Sequence, residues 1–165
     1  MFDLPLMNIE FEKAKSSDYK EIHTVMQTSA REISSKAYHA GVRRIFDKFY
    51  SDRTPAYLKQ TLENPNKHTL LAKSDNRIIG FIQLEIYNKK GTISHLYILP
   101  GFEGNSIGTQ LFNLIKEEAM RMKIDKLLVE STLNALSYYE RLGFVNKGLI
   151  PDCSAYNLEM ELNRV

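Results

Sequence analysis

Leu96-Tyr97-Ile98-Leu99-Pro100-Gly101-Phe102-Glu103-Gly104-Asn105-Ser106-Ile107-Gly108-Thr109-Gln110-Leu111 reads as a strand end, a glycine-punctuated turn and the start of a helix. Pro100 stops the strand, and Ile107, Leu111, Leu114, Ile115, Ala119 and Met122 then recur at helical spacing, giving the helix an apolar face. A helix start carries main-chain N–H groups without intrahelical acceptors and a partial positive charge. It can therefore hold a phosphate without lysine or arginine. Small residues at Gly104, Ser106 and Gly108 would let a ligand approach the main chain, although strand-to-helix turns also use glycine for backbone reasons alone. Two familiar phosphate loops are excluded. Gly108 is followed by Thr109-Gln110 rather than a lysine and a hydroxyl residue, and the spacing G-x-G-x-x-G is absent, which argues against ATP and NAD.

Outward from this segment the pattern is α+β. Upstream, Thr69 to Lys73, Ile78 to Tyr87 and Thr92 to Leu99 are β-like runs, separated by the hairpin-turn sequences Ser74-Asp75-Asn76-Arg77 and Asn88-Lys89-Lys90-Gly91. Asn8 to Ala14 alternates as a first strand. A helix follows with Tyr19, Ile22, Val25, Met26, Ser29 and Ile33 on one face, and Asp18 with Glu21 is the expected capping pair. Tyr38 to Leu62 reads as one or two helices broken where Pro55 restricts Thr54. Downstream come a strand at Lys126 to Glu130, a short helix from Ala135 to Leu142 closed by Gly143, and strands at Phe144 to Lys147 and Ala155 to Leu162.

Composition bounds the function. With 165 residues and 43% hydrophobic content, one domain spanning 1–165 is expected. The 22 basic and 20 acidic residues give a net charge of +2 without a basic cluster, which argues against nucleic acid or an anionic membrane as partner. Cys153 is the single cysteine, so no intrachain disulfide forms, and a reducing, cytoplasmic setting fits. His23, His39, His68 and His95 are too scattered for a metal-ligand motif, so no metal is expected. Met1 to Glu12 lacks the layout of a signal peptide, and no run of apolar residues reaches membrane-spanning length.

Glu103-Gly104-Asn105-Ser106-Ile107-Gly108 resembles the R/Q-x-x-G-x-G/A loop of the GNAT superfamily of N-acetyltransferases, and Asn134-Ala135-Leu136-Ser137-Tyr138-Tyr139-Glu140-Arg141-Leu142-Gly143-Phe144 is similar to a second signature of that family. The resemblance extends over about Asn8 to Leu162. It implies a three-layer fold with a central, mostly antiparallel twisted sheet of six or seven strands flanked by helices. It also implies acetyl-coenzyme A as cosubstrate, with Glu103, Gly104, Asn105, Ser106, Ile107, Gly108 and Thr109 around the diphosphate and the main chain of Leu96, Tyr97 and Ile98 along the pantetheine arm. Asn134 resembles a polar position near the coenzyme and reads equally as a helix N-cap. Glu103 and Ser106 depart from the family pattern. A carboxylate near a phosphate is repelled, and a serine in a left-handed conformation costs about 1–2 kcal/mol.

The implied reaction is transfer of acetyl to a primary amine of a small molecule or peptide by direct attack on the thioester. The resemblance gives Tyr139 the role of hydrogen-bond donor to the leaving sulfur, while its helical face also suits a core position. His95 is a candidate base, alongside Ser94, Glu85, Glu130 or a water relay. Tyr38 to Leu62 and the loop near Asp152 are expected to form the acceptor pocket. A fold-retaining sensor that binds acyl-coenzyme A without turnover is the alternative, and self-association as a homodimer is compatible with exposed strands.

Overall fold

The computed structural model describes residues 7–162; the first part of the N-terminal stretch read above for targeting signals lies outside them. Seven strands form one sheet: β1 (Ile9–Lys13), β2 (Lys67–Ser74), β3 (Arg77–Tyr87), β4 (Lys90–Ile98), β5 (Lys126–Ser131), β6 (Val145–Leu149) and β7 (Tyr156–Glu161). Their order is β1-β2-β3-β4-β5-β7-β6, and β4–β5 is the parallel pair among otherwise antiparallel neighbours. The tight β2–β3 and β3–β4 hairpins turn at Asp75-Asn76 and Asn88-Lys89, all with positive φ, the conformation that matches the twist of the strands.

One face of the sheet carries α4 (Ile107–Arg121) and α5 (Leu136–Arg141), packed over Ile79, Ile82, Leu84, Leu127 and Leu158. On α4 the fully buried Phe112 joins Ile107, Leu111, Ile115 and Ala119, whereas Leu114 is exposed at the edge of the stripe. The other face carries α1 (Tyr19–Glu32), α2 (Ala40–Asp52) and α3 (Pro55–Glu63), packed around Ile22, Met26, Phe46, Leu58, Leu71 and Phe81. This is the three-layer α+β arrangement that the sequence implied.

The start of α1 differs from the expected Asp18–Glu21 pairing. A 3-10 turn, Ser16–Asp18, precedes α1, so Asp18 Oδ2 accepts the Lys15 N–H at 2.7 Å. Glu21 Oε1 instead accepts the Ile78 N–H at 2.8 Å, tying α1 to β3. The break between α2 and α3 follows the proline as expected: Pro55 opens α3, and Thr54 Oγ1 accepts the Tyr57 N–H at 3.2 Å.

One irregularity positions the site. Leu84 pairs with Ile93 and Gln83 with His95, which leaves Ser94 as the extra residue of a β-bulge in β4. Its hydroxyl lies 3.1 Å from Gln83 Oε1, and the Gln83 amide donates to Thr61 Oγ1 and Thr69 Oγ1 at 3.0 and 2.9 Å. Parallel pairing of β4 with β5 ends at the same point, at Ile93 and Val129. Beyond it the two strands separate, and the edge of β4 from Ser94 to Ile98 that faces β5 has no strand partner.

Candidate active site

The gap between β4 and β5 opens into a cavity of about 580 Å³ that runs along Leu96, Tyr97 and Ile98 to the start of α4. At that start the main-chain N–H groups from Glu103 to Thr109 have no acceptor among the described residues, because the first α4 bond is Gln110 N–H to Ser106 C=O. A row of free amides at a helix N-terminus, beside a strand edge without a partner, suits an extended ligand carrying a phosphate group. Gly108 leaves this approach open: a Cβ there would lie 3.1 Å from the Tyr138 hydroxyl.

The two residues that depart from the family loop take different conformations. Glu103 folds back, and its Oε2 accepts the Gly101 N–H at 2.7 Å, so the carboxylate is engaged within the turn. Ser106 has φ 58° and ψ 17°, a left-handed backbone that a glycine would adopt without strain. Asn105 does not line the cavity, and its side-chain amide braces the loop on the Phe102 and Glu103 carbonyls at 3.1 and 3.3 Å. Its contribution toward a ligand is therefore limited to the main chain. Thr109 meets the Tyr138 hydroxyl at 3.4 Å. Asn134 lines the cavity from a 3-10 turn, Leu133–Ala135; it is not the N-cap of α5, a place that falls to Ala135.

Tyr139 points from α5 into the same cavity and is 6% exposed. Its hydroxyl makes no hydrogen bond to the described residues, and burial, reinforced by Tyr138 and Tyr50, pushes its pKa up. The group stays a protonated donor throughout the physiological range.

A second cavity, of about 720 Å³, lies on the α2 and α3 side of the sheet and shares Ser94, His95, Tyr97 and Glu130 with the first. His95 is 3% exposed and neither ring nitrogen has a hydrogen-bond partner. Its ring sits among those of Tyr57, Phe81 and Tyr97 at 6.0–6.3 Å. Desolvation, aided by the positive charges of Arg53 and Lys67, lowers its pKa to about 3, so the imidazole is neutral at pH 7. Tyr50 and Tyr97 hydrogen-bond to each other through their hydroxyls, and burial pushes Tyr50 up to about 12. The lining of this cavity draws Tyr38, Phe46, Phe49, Tyr50, Arg53 and Tyr57 from the Tyr38 to Leu62 stretch and Asp152 from the later loop. Phe46, Phe49, Tyr50 and Arg53 fall at i, i+3, i+4 and i+7, the signature of one helical face.

A family model described as an acetyltransferase (GNAT) domain matches residues 18–152. The chain belongs to the GNAT acetyltransferase family. Among solved structures, the PaiA N-acetyltransferase from Thermoplasma acidophilum, in complex with coenzyme A, is similar at a TM-score of 0.83 and 20% identity, covering 94% of this chain and all (100%) of that one. A GCN5-related N-acetyltransferase from Rhodopseudomonas palustris follows at 0.77 and 18%, covering 95% and 98%, and Ard1 from Thermoplasma volcanium at 0.74 and 14%, covering 94% and 98%. At these identities the likenesses carry the fold. No curated protein sequence matches this GNAT chain. Among its described residues no helix is long and apolar enough to cross a membrane.

Proposed function

We propose that this GNAT protein is an acetyl-coenzyme A-dependent N-acetyltransferase, acting on a primary amine of a small molecule or peptide by direct attack on the thioester. The observation that carries the reading is the coincidence of three features in one cavity: free amides at the α4 start, the unpaired β4 edge, and the Tyr139 hydroxyl. Amides from Glu103 to Thr109 would hold the diphosphate, helped by the side chain of Thr109, and Asn134 would flank the coenzyme. The main chain of Leu96, Tyr97 and Ile98 would pair with the pantetheine arm, as a further strand would. Bound acetyl-coenzyme A supplies an acyl group activated as a thioester.

Transfer forms a C–N bond and breaks a C–S bond. An ammonium acceptor gives up one proton before attack and a second as it becomes the amide, the second ending on the leaving thiolate. The protein must therefore remove the first and steady the charge reaching sulfur. Tyr139 suits the second task as a hydrogen-bond donor, its raised pKa favouring donation over full proton loss. For the first task, a histidine with a pKa of about 3 is too weak a base to hold a proton taken from an amine of pKa ~10. Neutral His95 fits as the group that hydrogen-bonds and orients the amine. Glu130, exposed, without a partner among the described residues and bordering both cavities, fits as the group that passes the proton on to bulk water. The unpaired, exposed Cys153 is compatible with a reducing compartment, and we take the cytoplasm as the place of action.

The test is release of free thiol from acetyl-coenzyme A in the presence of polyamines, amino acids, aminoglycosides and peptides. Amine-dependent release is expected. Coenzyme binding without release on any amine would replace the enzyme with an acyl-coenzyme A sensor.

A further inference from the structure

Several charged groups around the second cavity are answered by the chain itself. Glu85 pairs with Lys67 at 3.5 Å, Glu159 with Lys126 at 3.0 Å, and Asp152 Oδ1 accepts from the Ser154 N–H and hydroxyl at 2.9 and 2.5 Å. Lys147 is exposed near Glu159, whose carboxyl it helps hold low. Glu130, Arg53 and the exposed Lys147 have no ion-pair partner among the described residues, and of the two cations Arg53 is the one held by stacking. Glu130 sits at the seam with the coenzyme-side cavity, and Arg53 lines the second cavity alone.

Arg53 closes α2, and its guanidinium carbon lies 3.4 Å from the centroid of the Phe49 ring and 5.3 Å from that of Tyr57. This stacking fixes the plane of the fork. Nη1 donates to the Phe49 carbonyl at 3.3 Å, while Nε is buried without an acceptor and Nη2 has none among the described residues. No carboxylate of the described chain lies within ion-pair distance of it. An oriented guanidinium lining a cavity, with Nη2 unspent beside a buried Nε that lacks an acceptor, matches a carboxylate. The same arrangement disfavours a polycation, because the Phe49 and Tyr57 faces on which an ammonium would rest already hold Arg53, whose charge repels a second one.

We propose that the acceptor is an aminocarboxylic acid with an apolar or aromatic body, its carboxylate bound by Arg53 and its amine presented at the Glu130 and His95 end. This rests on the acetyl-transfer reading. The aromatic side chains of Tyr38, Phe46 and Tyr50, with successive ring centroids 4.4 and 4.6 Å apart, line the same cavity and supply an apolar wall.

The test pairs each acid with its decarboxylated amine: phenylalanine with phenethylamine, tyrosine with tyramine. For the wild-type protein kcat/KM should favour the acid by on the order of tenfold or more. In Arg53→Gln that preference should disappear, the acid losing more kcat/KM than the amine. Equal turnover of acid and amine by the wild type overturns the proposal and leaves acetyl transfer standing. So does an equal loss on both in Arg53→Gln, which would mark Arg53 as structural. Binding of N-acetylphenylalanine and N-acetylphenethylamine in the presence of coenzyme A separates the two readings. If no amine turns over yet the acid product binds more tightly and does so through Arg53, the carboxylate site stands without the enzyme. If neither product is preferred, the carboxylate site falls.

Discussion

The two cavities that meet at Ser94, His95 and Glu130 are built from different chemistry. The coenzyme side is a main-chain surface: the open edge of β4 and the free amides from Glu103 to Thr109. The proposed acceptor side is a side-chain surface, made of aromatic rings and Arg53 from α2 and α3 with carboxylates from the sheet. A main-chain surface tolerates changes of side chain so long as the backbone path survives. This is why Glu103 and Ser106 can depart from the family loop while its amides still converge. A side-chain surface changes with every substitution, and specificity for the acceptor belongs there.

Tyr139→Phe gives the largest expected effect, because it removes the hydroxyl proposed to steady the leaving sulfur. Thiol release should fall by roughly 100-fold, the lower range for loss of an acid–base group, with little change in coenzyme affinity. Unchanged release would return Tyr139 to the core and sharpen the contrast into a purely main-chain site.

His95 sits at the seam and gives a pH signature. Its native pKa of about 3 lies below the ordinary value of 6.5, so the unfolded state binds the extra proton between those limits. Stability from this group is complete above about pH 6.5 and is lost progressively as pH falls toward 3. At pH 5 the loss is about 2 kcal/mol, from 1.36 kcal/mol for each unit below 6.5. Urea unfolding at pH 7 and pH 5 should show this loss in the wild type, and His95→Phe should flatten the difference by that amount. An equal pH dependence in both proteins would mean that the ring is hydrated and charged in the folded state.

Ser106→Gly is the smallest step. Relief of the left-handed serine should raise stability by about 1 kcal/mol and tighten coenzyme binding slightly. A calorimetric binding and unfolding series checks both, and weaker binding would show that the serine hydroxyl contributes more than the strain costs.

The same division explains what could be read from the sequence. Hairpins at Asp75-Asn76 and Asn88-Lys89, the Thr54-Pro55 break and the turn into α4 are written in local residue chemistry, and they fix the order of elements. The coenzyme-side residues follow because a strand, a glycine turn and a helix are contiguous. The bulge at Ser94 is not local: one extra residue is visible only against the partners Gln83 and Leu84 on β3. Nor is the state of His95, whose ring is buried by Tyr57 and Phe81 from elements distant in sequence. The role of Arg53 is not legible in the sequence for a related reason. It lies at the junction where α2 and α3 fold together over Phe49 and Tyr57, and its lack of an ion-pair partner is visible only in the folded chain.

Amide hydrogen exchange across the α4 start, with and without coenzyme A, addresses the main-chain site directly. The amides from Glu103 to Thr109 are free of protein acceptors, so they should exchange quickly alone and be protected on binding, while those at the centre of α4 change little. Binding of coenzyme A that leaves exchange from Glu103 to Thr109 unchanged would contradict the account.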